Sequence, residues 1–508
     1  MLKLVLCELL RSLGNNTRMT NKIIIIGSGN AAMCAGIAAL ERGASVVMYE
    51  KAEKILAGGN TKYTAGAMRF CYDGLDSLRD LLKDPEDERL EITDFGSYTE
   101  SKFAADLLNF NNGRSLSEEQ EYLISQSHEA MSWLSSHGVK FEPIYSRQSY
   151  KKDGRFIFWG GLAVAAANEG VGLFEQQLAA YTALGGRIKY NHCVTELTKS
   201  GDTIDGVLVN GDKHEADAVI LASGGFEANE EMRVEFIGDK WKGAKVRGTP
   251  NNTGDGIRMA LENGAMKHGL YEECHATPMD LHMPDYGGLH LPPIERKMYR
   301  KICYFLGIMI NQDGNRFVDE GENFRNYTYA QFGRRVLEQP DQKAWQIFDS
   351  KVTNLLYDEY HFKEAHFEEA VSIEALIKKM PGIDQNNALK TIKEFNAACG
   401  PTDEFDPTAL DGLSTTGLSL PKSNWSQPLD TPPFRAYPVT GGITFTYGGL
   451  KVSPDGAVMK NSTDAIKGLF ACGELVGGVF YNGYPGGSGL TSGLVFGRRA
   501  GYGAASFL

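Results

Sequence analysis

Four residues in the second half of the chain have side chains able to move a proton or grip a carbonyl group: His275, Arg325, Tyr447 and Tyr484. An imidazole or a phenol can give or take a proton, and a guanidinium can hold a carboxylate through parallel hydrogen bonds. Each also has a plainer reading. His275 suits a core position, and Tyr447 suits an aromatic core. Tyr484, before Pro485-Gly486-Gly487, suits a turn, and Arg325 suits an ion pair with nearby acids. Chemistry at these residues requires something beside them that can accept electrons or activate a bond, and three glycine-rich segments point to it.

The first segment is Gly27-Ser28-Gly29-Asn30-Ala31-Ala32. A GxGxxA turn between a strand and a helix brings backbone N–H groups and a helix N-terminus against a pyrophosphate. Glu50, 50 − 27 = 23 residues on, closes the next strand, where an acid can hold ribose hydroxyls. The second segment runs from an apolar strand, Ala218–Leu221, into Ala222-Ser223-Gly224-Gly225. The third joins Gly468-Leu469-Phe470-Ala471-Cys472-Gly473-Glu474 to Gly486-Gly487-Ser488-Gly489-Leu490-Thr491-Ser492-Gly493, where a strand delivers an acid and a glycine turn opens the last helix. That helix N-terminus could stabilise negative charge on an electron-rich ring. Each of the last two segments, read by itself, is equally a structural turn.

The elements that must carry these residues follow from hydrophobic pattern. Lys22–Ile26, a helix over 30–42 and a strand over 44–50 make a β–α–β opening. Helices are expected over 116–137, ending at Gly138, and over 171–185. Strands are expected over 187–194, 203–209 and 214–221. Between about 271 and 447 prolines cluster at 278, 284, 292 and 293 and at 432, 433 and 438, with charged helical patterns over 364–379 and 386–399 between them. This region reads as an insertion, after which glycine-rich α/β character returns.

Composition narrows the field. A chain of 508 residues with 42% hydrophobic and 23% charged residues is ordinary globular protein. Its formal charge of −12 disfavours nucleic acid as a partner. The eight cysteines form no CxxC, zinc-ligand or haem-attachment pattern, so neither a metal site nor a disulfide scaffold is expected, and free thiols suggest a reducing compartment. No apolar run is long enough to span a bilayer. The first residues are apolar without a cleavage site, and Met19 reads as the natural start.

Together the three segments resemble the FAD-binding framework of the fumarate reductase and succinate dehydrogenase flavoprotein family, over nearly the whole chain. Gly58-Gly59-Asn60-Thr61, leading to Ala65-Gly66, looks like the family's GGN[ST] loop, and Thr253-Gly254-Asp255-Gly256 is similar to its TGDG. The implied fold is α/β: a Rossmann-like FAD-binding domain over 21–272 and 447–508, an inserted α+β capping domain over 273–446 and an N-terminal extension over 1–20. The expected cofactor-binding turn is Gly27, Gly29, Asn30, Ala31 and Ala32, with Gly29 against the pyrophosphate and Ala32 packing helix on strand; the resemblance implies that Glu50 binds the adenosine ribose, and Lys51 is a further expected cofactor residue. By the same likeness Val194 meets the adenine, Glu474 the ribityl chain, and Gly489, Leu490 and Ser492 the flavin ring. Ala222, Ser223, Gly224 and Asp255 complete the expected cofactor wall. Members with covalent FAD carry a histidine near the GGN loop. Lys62-Tyr63-Thr64-Ala65-Gly66 has none, so non-covalent FAD is expected.

Arg325 follows Arg316-Phe317-Val318-Asp319-Glu320, which looks like the family's NxRFxxE…R stretch with one extra residue before the proton-transfer arginine. His275 resembles the family's substrate histidine. Tyr484 stands where fumarate reductases have a carboxylate-gripping arginine, and Thr444-Phe445-Thr446-Tyr447-Gly448-Gly449 replaces an HHTMGG-like run. A tyrosine before Pro-Gly-Gly is similar to 3-ketosteroid Δ1-dehydrogenases. The stretches Arg316–Ala330 and Tyr484–Gly493 most resemble FAD-dependent tricarballylate dehydrogenases. That likeness implies oxidation of tricarballylate to cis-aconitate, a small carboxylate substrate and a separate electron-acceptor redox protein. It also implies a cytoplasmic enzyme that meets the membrane through that partner. Arg155, Arg325 and the run Arg296-Lys297-Met298-Tyr299-Arg300-Lys301 supply cations, the run reading otherwise as a solvated face or partner-docking patch. The alternatives are a 3-ketosteroid-type dehydrogenase, a fumarate-reductase-like enoate reductase and a flavin-binding sensor without turnover.

Overall fold

The structure is a computed structural model that describes residues 21–292 and 295–508. The expected N-terminal extension over 1–20 and the reading of Met19 as the start lie outside the described residues.

Ile23, Ile24, Ile25 and Ile26 are all buried because their strand sits inside a parallel layer covered on both faces. Lys22–Ile26 pairs in parallel with Ser45–Tyr49 on one side and Ala218–Leu221 on the other. The sheet runs Arg187–Lys189, Ser45–Tyr49, Lys22–Ile26, Ala218–Leu221, Ala465–Ala471, Thr203–Val209, Val194–Ser200. Crossover helix Asn30–Glu41 packs against the last helix, Ser488–Phe507, so two glycine-turn helices lie side by side. Glu118–Ser136 begins at a capping box, with Ser117 and Gln120 satisfying each other's backbone N–H groups. These findings give the expected mixed α/β flavoprotein architecture.

A second sheet is centred on the long strand Phe434–Thr446. It pairs with Cys274–Asp280, Ala344–Phe348 and Glu368–Ala370 antiparallel and with Lys245–Val246 in parallel. Helix Arg325–Leu337 lies on this sheet, against Cys274–Asp280 and Phe434–Thr446. The second sheet therefore reaches back to residues 245 and 246, before the insertion read from the sequence.

Three elements differ from the expected ones. The strand over 187–194 is two: Arg187–Lys189 ends on one edge, the chain turns through Asn191 at positive φ, and Val194 starts the opposite edge. The strand over 214–221 is also two. Asp212–Glu215 closes a hairpin with Thr203–Val209, and Ala218–Leu221 enters the parallel centre. Between them the Asp217 carboxylate accepts the Lys22 N–H at 2.8 Å. The helix over 364–379 shortens to Ile373–Lys378, because Glu368–Ala370 is drawn into edge pairing and Ser372 caps the turn that follows. Among the described residues no helix is long and apolar enough to cross a membrane.

Candidate active site

Strand ends and helix starts of the parallel sheet open into one cavity of about 960 Å³. Gly27 leaves the first strand at φ +106°, where a Cβ would collide with the Ala222 carbonyl oxygen. Only glycine fits such a turn. At Gly29 the nearest protein atoms to a Cβ are 3.7 Å away, so this backbone faces open space at the helix entrance. Helix Asn30–Glu41 has no side-chain cap and no acid in its first turn; the Asn30 N–H donates to Thr61 Oγ1 at 2.8 Å. Helix Ser488–Phe507 likewise has no side-chain cap and no acid in its first turn. Free helix N–H groups at two points of one cavity suit an anionic ligand with an electron-rich ring.

Acids and hydroxyls complete this end. Glu50 accepts the Ser28 hydroxyl at 2.6 Å and the Ala52 N–H at 2.8 Å. Carboxylate oxygens carry several lone pairs, so Glu50 keeps acceptor capacity for ribose hydroxyls. The Ser223 hydroxyl is buried in the wall with no protein partner. Glu474 accepts the Thr446 N–H at 2.7 Å. Behind it lies Glu227, fully buried and bonded to the Asn60 and Asn252 amides at 2.7 and 2.6 Å. Burial, and then the charge of Glu474, hold the Glu227 carboxyl well above the ordinary carboxylate range. Glu227 is therefore the protonated member of the pair. These donors and acceptors fit FAD: N–H groups for the pyrophosphate, acids for the ribose and ribityl hydroxyls, and a helix N-terminus for the flavin ring.

Every cofactor residue expected from the sequence lines this cavity except Ala32, Gly58 and Gly66. Ala32 is buried in the helix, Gly58 makes a left-handed turn whose N–H donates to Ser28 Oγ at 3.1 Å, and Gly66 turns at φ +68° against Glu169.

The far end of the cavity is built by side chains instead. Arg325, at the first turn of its helix, donates from Nε to the Tyr357 hydroxyl at 2.6 Å and from Nη2 to the Arg147 carbonyl at 3.3 Å. Burial works against its charge, but Tyr357 more than compensates and holds the guanidinium above its usual range. Tyr484 and Tyr329 share a hydroxyl–hydroxyl bond of 2.6 Å. Burial pushes the Tyr484 phenol well up, so it is protonated and able to donate. Tyr447 also lines the cavity, its buried hydroxyl without a partner.

His275 stands apart from its expected role. It does not line the cavity but lies fully buried behind Phe445, Tyr329 and Tyr484, its ring 5.0–5.2 Å from each of theirs. Burial, with Arg247 and Arg300 nearby, holds its pKa well below the usual value. A neutral ring in this place supports the cavity wall and contributes no charge to it. The cationic run is a solvated face only in its first half: Lys297 is exposed, whereas Arg300 is buried against Glu359 and Lys301 is fully buried 3.5 Å from Asp280. Arg155 is exposed on a hairpin and does not reach the cavity.

The sequence reading missed Arg247, Tyr357, Tyr329 and Glu227. Arg247 reaches the cavity because Lys245–Val246 pairs with Gly442–Ile443, after which the Arg247 N–H donates to the Ile443 carbonyl at 2.8 Å. No local pattern in Lys245-Val246-Arg247-Gly248-Thr249 announces that pairing. Glu227 had a signal, since it directly follows the Gly224-Gly225-Phe226 turn at the cofactor wall.

The parallel sheet, paired helix N-termini and acid-lined cradle define an FAD-dependent oxidoreductase of mixed α/β architecture. Residues 22–490 match the FAD binding domain family, and the chain belongs to that family. It is 27% identical over 509 residues to fumarate reductase (cytochrome) of Shewanella frigidimarina, spanning 96% of this chain and 77% of that protein. Its fold matches the open conformation of a flavocytochrome c3 fumarate reductase with a TM-score of 0.70 at 22% identity, over 98% of this chain and 80% of that one. It also matches 3-ketosteroid Δ1-dehydrogenase from Sterolibacterium denitrificans with a TM-score of 0.70 at 19% identity, over 96% of this chain and 100% of that one.

Proposed function

We propose that the protein removes hydrogen from two adjacent carbons next to a carboxylate, with tricarballylate as substrate and cis-aconitate as product. The observation that carries this reading is the arginine–tyrosine cluster of Arg325, Tyr357, Tyr329 and Tyr484 at the far end of the cofactor cavity. FAD, held non-covalently by the cradle, supplies a two-electron acceptor for a hydride.

Arg325 holds the carboxylate beside the reacting carbon and spreads its negative charge, which acidifies the adjacent C–H. A guanidinium held above its usual pKa cannot be the base. The Tyr357 oxygen, bonded to Arg325 Nε at 2.6 Å, takes the proton. Burial raises the Tyr357 pKa and the Arg325 charge offsets only part of that rise, so the phenolate that accepts the proton is a minor species at neutral pH. The C–H pair becomes the new C=C bond as the β-hydrogen leaves with its own electrons. Tyr484 donates to a substrate oxygen, oriented by Tyr329, and Tyr447 is a second donor on the same wall.

Anaerobic addition of tricarballylate to the flavin-loaded protein should bleach the flavin band and release cis-aconitate. Arg325→Ala should keep the flavin and lose turnover by about 10³-fold, the range expected for an electrostatic and positioning group. A flavin band that persists with tricarballylate, or full activity in Arg325→Ala, would refute this assignment. The hydroxyl-bonded Tyr484–Tyr329 pair among Phe445 and Phe480 favours a second reading, polarisation of a ketone, which predicts bleaching by a 3-ketosteroid instead. We assign reoxidation to a separate redox protein and the enzyme to the cytoplasm, reaching the membrane through that partner. The seven described cysteines are all free, which fits a reducing compartment.

A further inference from the structure

Seven cationic side chains line the cavity: Lys51, Lys83, Arg89, Arg147, Arg247, Arg300 and Arg325. Lys51, Lys83, Arg89, Arg147 and Arg300 each lie within 4.0 Å of a carboxylate. That leaves 7 − 5 = 2, Arg247 and Arg325, with no carboxylate partner among the described residues. Arg325 has Tyr357. Among the described residues the only side-chain bond of Arg247 is from Nε to Thr444 Oγ1 at 3.0 Å. Burial, and then Arg300, push the Arg247 guanidinium down to about 10, so it is still charged at neutral pH. Burying a charge without a counter-charge is costly, and such groups are paired or face a ligand.

The cofactor does not supply the missing anions. Its pyrophosphate is offered the N-terminus of Asn30–Glu41, whereas Arg247 feels Arg300, Tyr329, Tyr484 and the Glu359 carboxylate at the other end, and Glu359 is itself paired with Arg300. The neutral His275 adds no charge there, and Asp358, which also reaches the cavity, is exposed. Two unpaired guanidiniums, one on the short strand continuation after Lys245–Val246 and one on helix Arg325–Leu337, call for two negative groups on one ligand.

We propose that Arg247 is a second carboxylate anchor, and that the substrate class is acids bearing at least two carboxylates. This rests on the reading of Arg325 as the first anchor. One carboxylate lies on Arg325 beside the reacting bond, and another lies on Arg247. Arg247 thereby sets specificity, not reactivity: it selects polycarboxylates over monocarboxylates and over neutral ketones.

The test is binding, read as the change in the flavin spectrum under conditions without turnover. The oxidised holoenzyme is titrated with tricarballylate, glutarate and butyrate. Arg247→Met should weaken tricarballylate and glutarate on the order of 100-fold, the loss expected for a charged hydrogen-bonded pair, and leave butyrate and the flavin band unchanged. Equal affinity of wild type and Arg247→Met for the polycarboxylates would overturn the proposal, as would a wild type that prefers butyrate. A second measurement needs no variant. Phenylglyoxal labelling with peptide mapping of the wild-type holoenzyme should show Arg247 protected by tricarballylate and not by butyrate. Labelling of Arg247 that tricarballylate does not slow would also overturn it. If Arg325→Ala still turns over while Arg247 governs polycarboxylate binding, the mechanism falls and this anchor stands.

Discussion

The two ends of the cavity are built on different principles. The cofactor end is mostly backbone, with turns at Gly27 and Gly29 and the N-termini of two helices packed side by side. The proposed substrate end is side chains, with Arg247, Arg325, Tyr357 and Tyr484 arriving from a short strand, a helix start, a loop and a turn. Recognition by backbone spreads affinity over many N–H groups, so no one polar side chain dominates it. Recognition by side chains concentrates the effect in a few atoms. Damage at the two ends should therefore differ in kind.

The largest effect should come at the substrate end. Tyr357→Phe removes the proposed proton acceptor and should lower dehydrogenation by about 10²–10⁴-fold while flavin stays bound. The raised Tyr357 pKa means that the phenolate fraction, and with it the wild-type rate, climbs with pH through the neutral and mildly alkaline range. Steady-state rates across that range should rise for wild type and lie flat for Tyr357→Phe; parallel profiles would remove Tyr357 from the reaction.

At the cofactor end the backbone itself is the weak point. Gly27→Ala meets both a left-handed φ and the Ala222 carbonyl, a cost of about 1–3 kcal/mol or more. FAD retention after gel filtration should drop on the order of tenfold to a hundredfold, the same free energy expressed as affinity. Retention equal to wild type would show that the turn relaxes and that the two ends are less different than argued here.

Smaller effects follow at Glu227, which touches the cofactor end through Glu474, Asn60 and Asn252. Glu227→Gln keeps a donor toward Glu474 and an acceptor for the asparagine amides, and should hold FAD within about threefold. Glu227→Ala orphans those amides and should weaken FAD about tenfold, the cost of an unsatisfied buried group. Because Glu227 holds its proton more tightly folded than unfolded, its contribution to stability is full below the ordinary carboxylate range. It is lost as the pH rises through the raised value. Thermal unfolding at alkaline pH should show that loss in wild type and not in Glu227→Gln. The smallest effect belongs to Lys51, 24% exposed and 2.6 Å from Asp255, which is 31% exposed. Its removal should cost FAD affinity less than about 1 kcal/mol, as for other solvent-screened pairs. A tenfold loss would mean that one side chain does dominate the backbone cradle.

The sequence by itself determined the cofactor end. A GxGxxA turn, an acid 23 residues later and a glycine pair after an apolar strand are local patterns, and local patterns fix local geometry. Hence the parallel strands and the helix starts were legible, and nearly all the expected cofactor residues line the cavity. Strand breaks at 190–193 and 216–217 were not, because pairing to distant edges divided what hydrophobicity alone joined. The substrate end was decided by tertiary structure. Arg247 faces the cavity through parallel pairing with residues nearly two hundred positions away, and Tyr357 meets Arg325 across a loop. His275 is withdrawn behind its aromatic neighbours by the same packing. Residue type names what a side chain can do. Whether a charge is paired or left facing a cavity depends on contacts between segments far apart in sequence, and here those contacts leave Arg247 without a bonded carboxylate among the described residues.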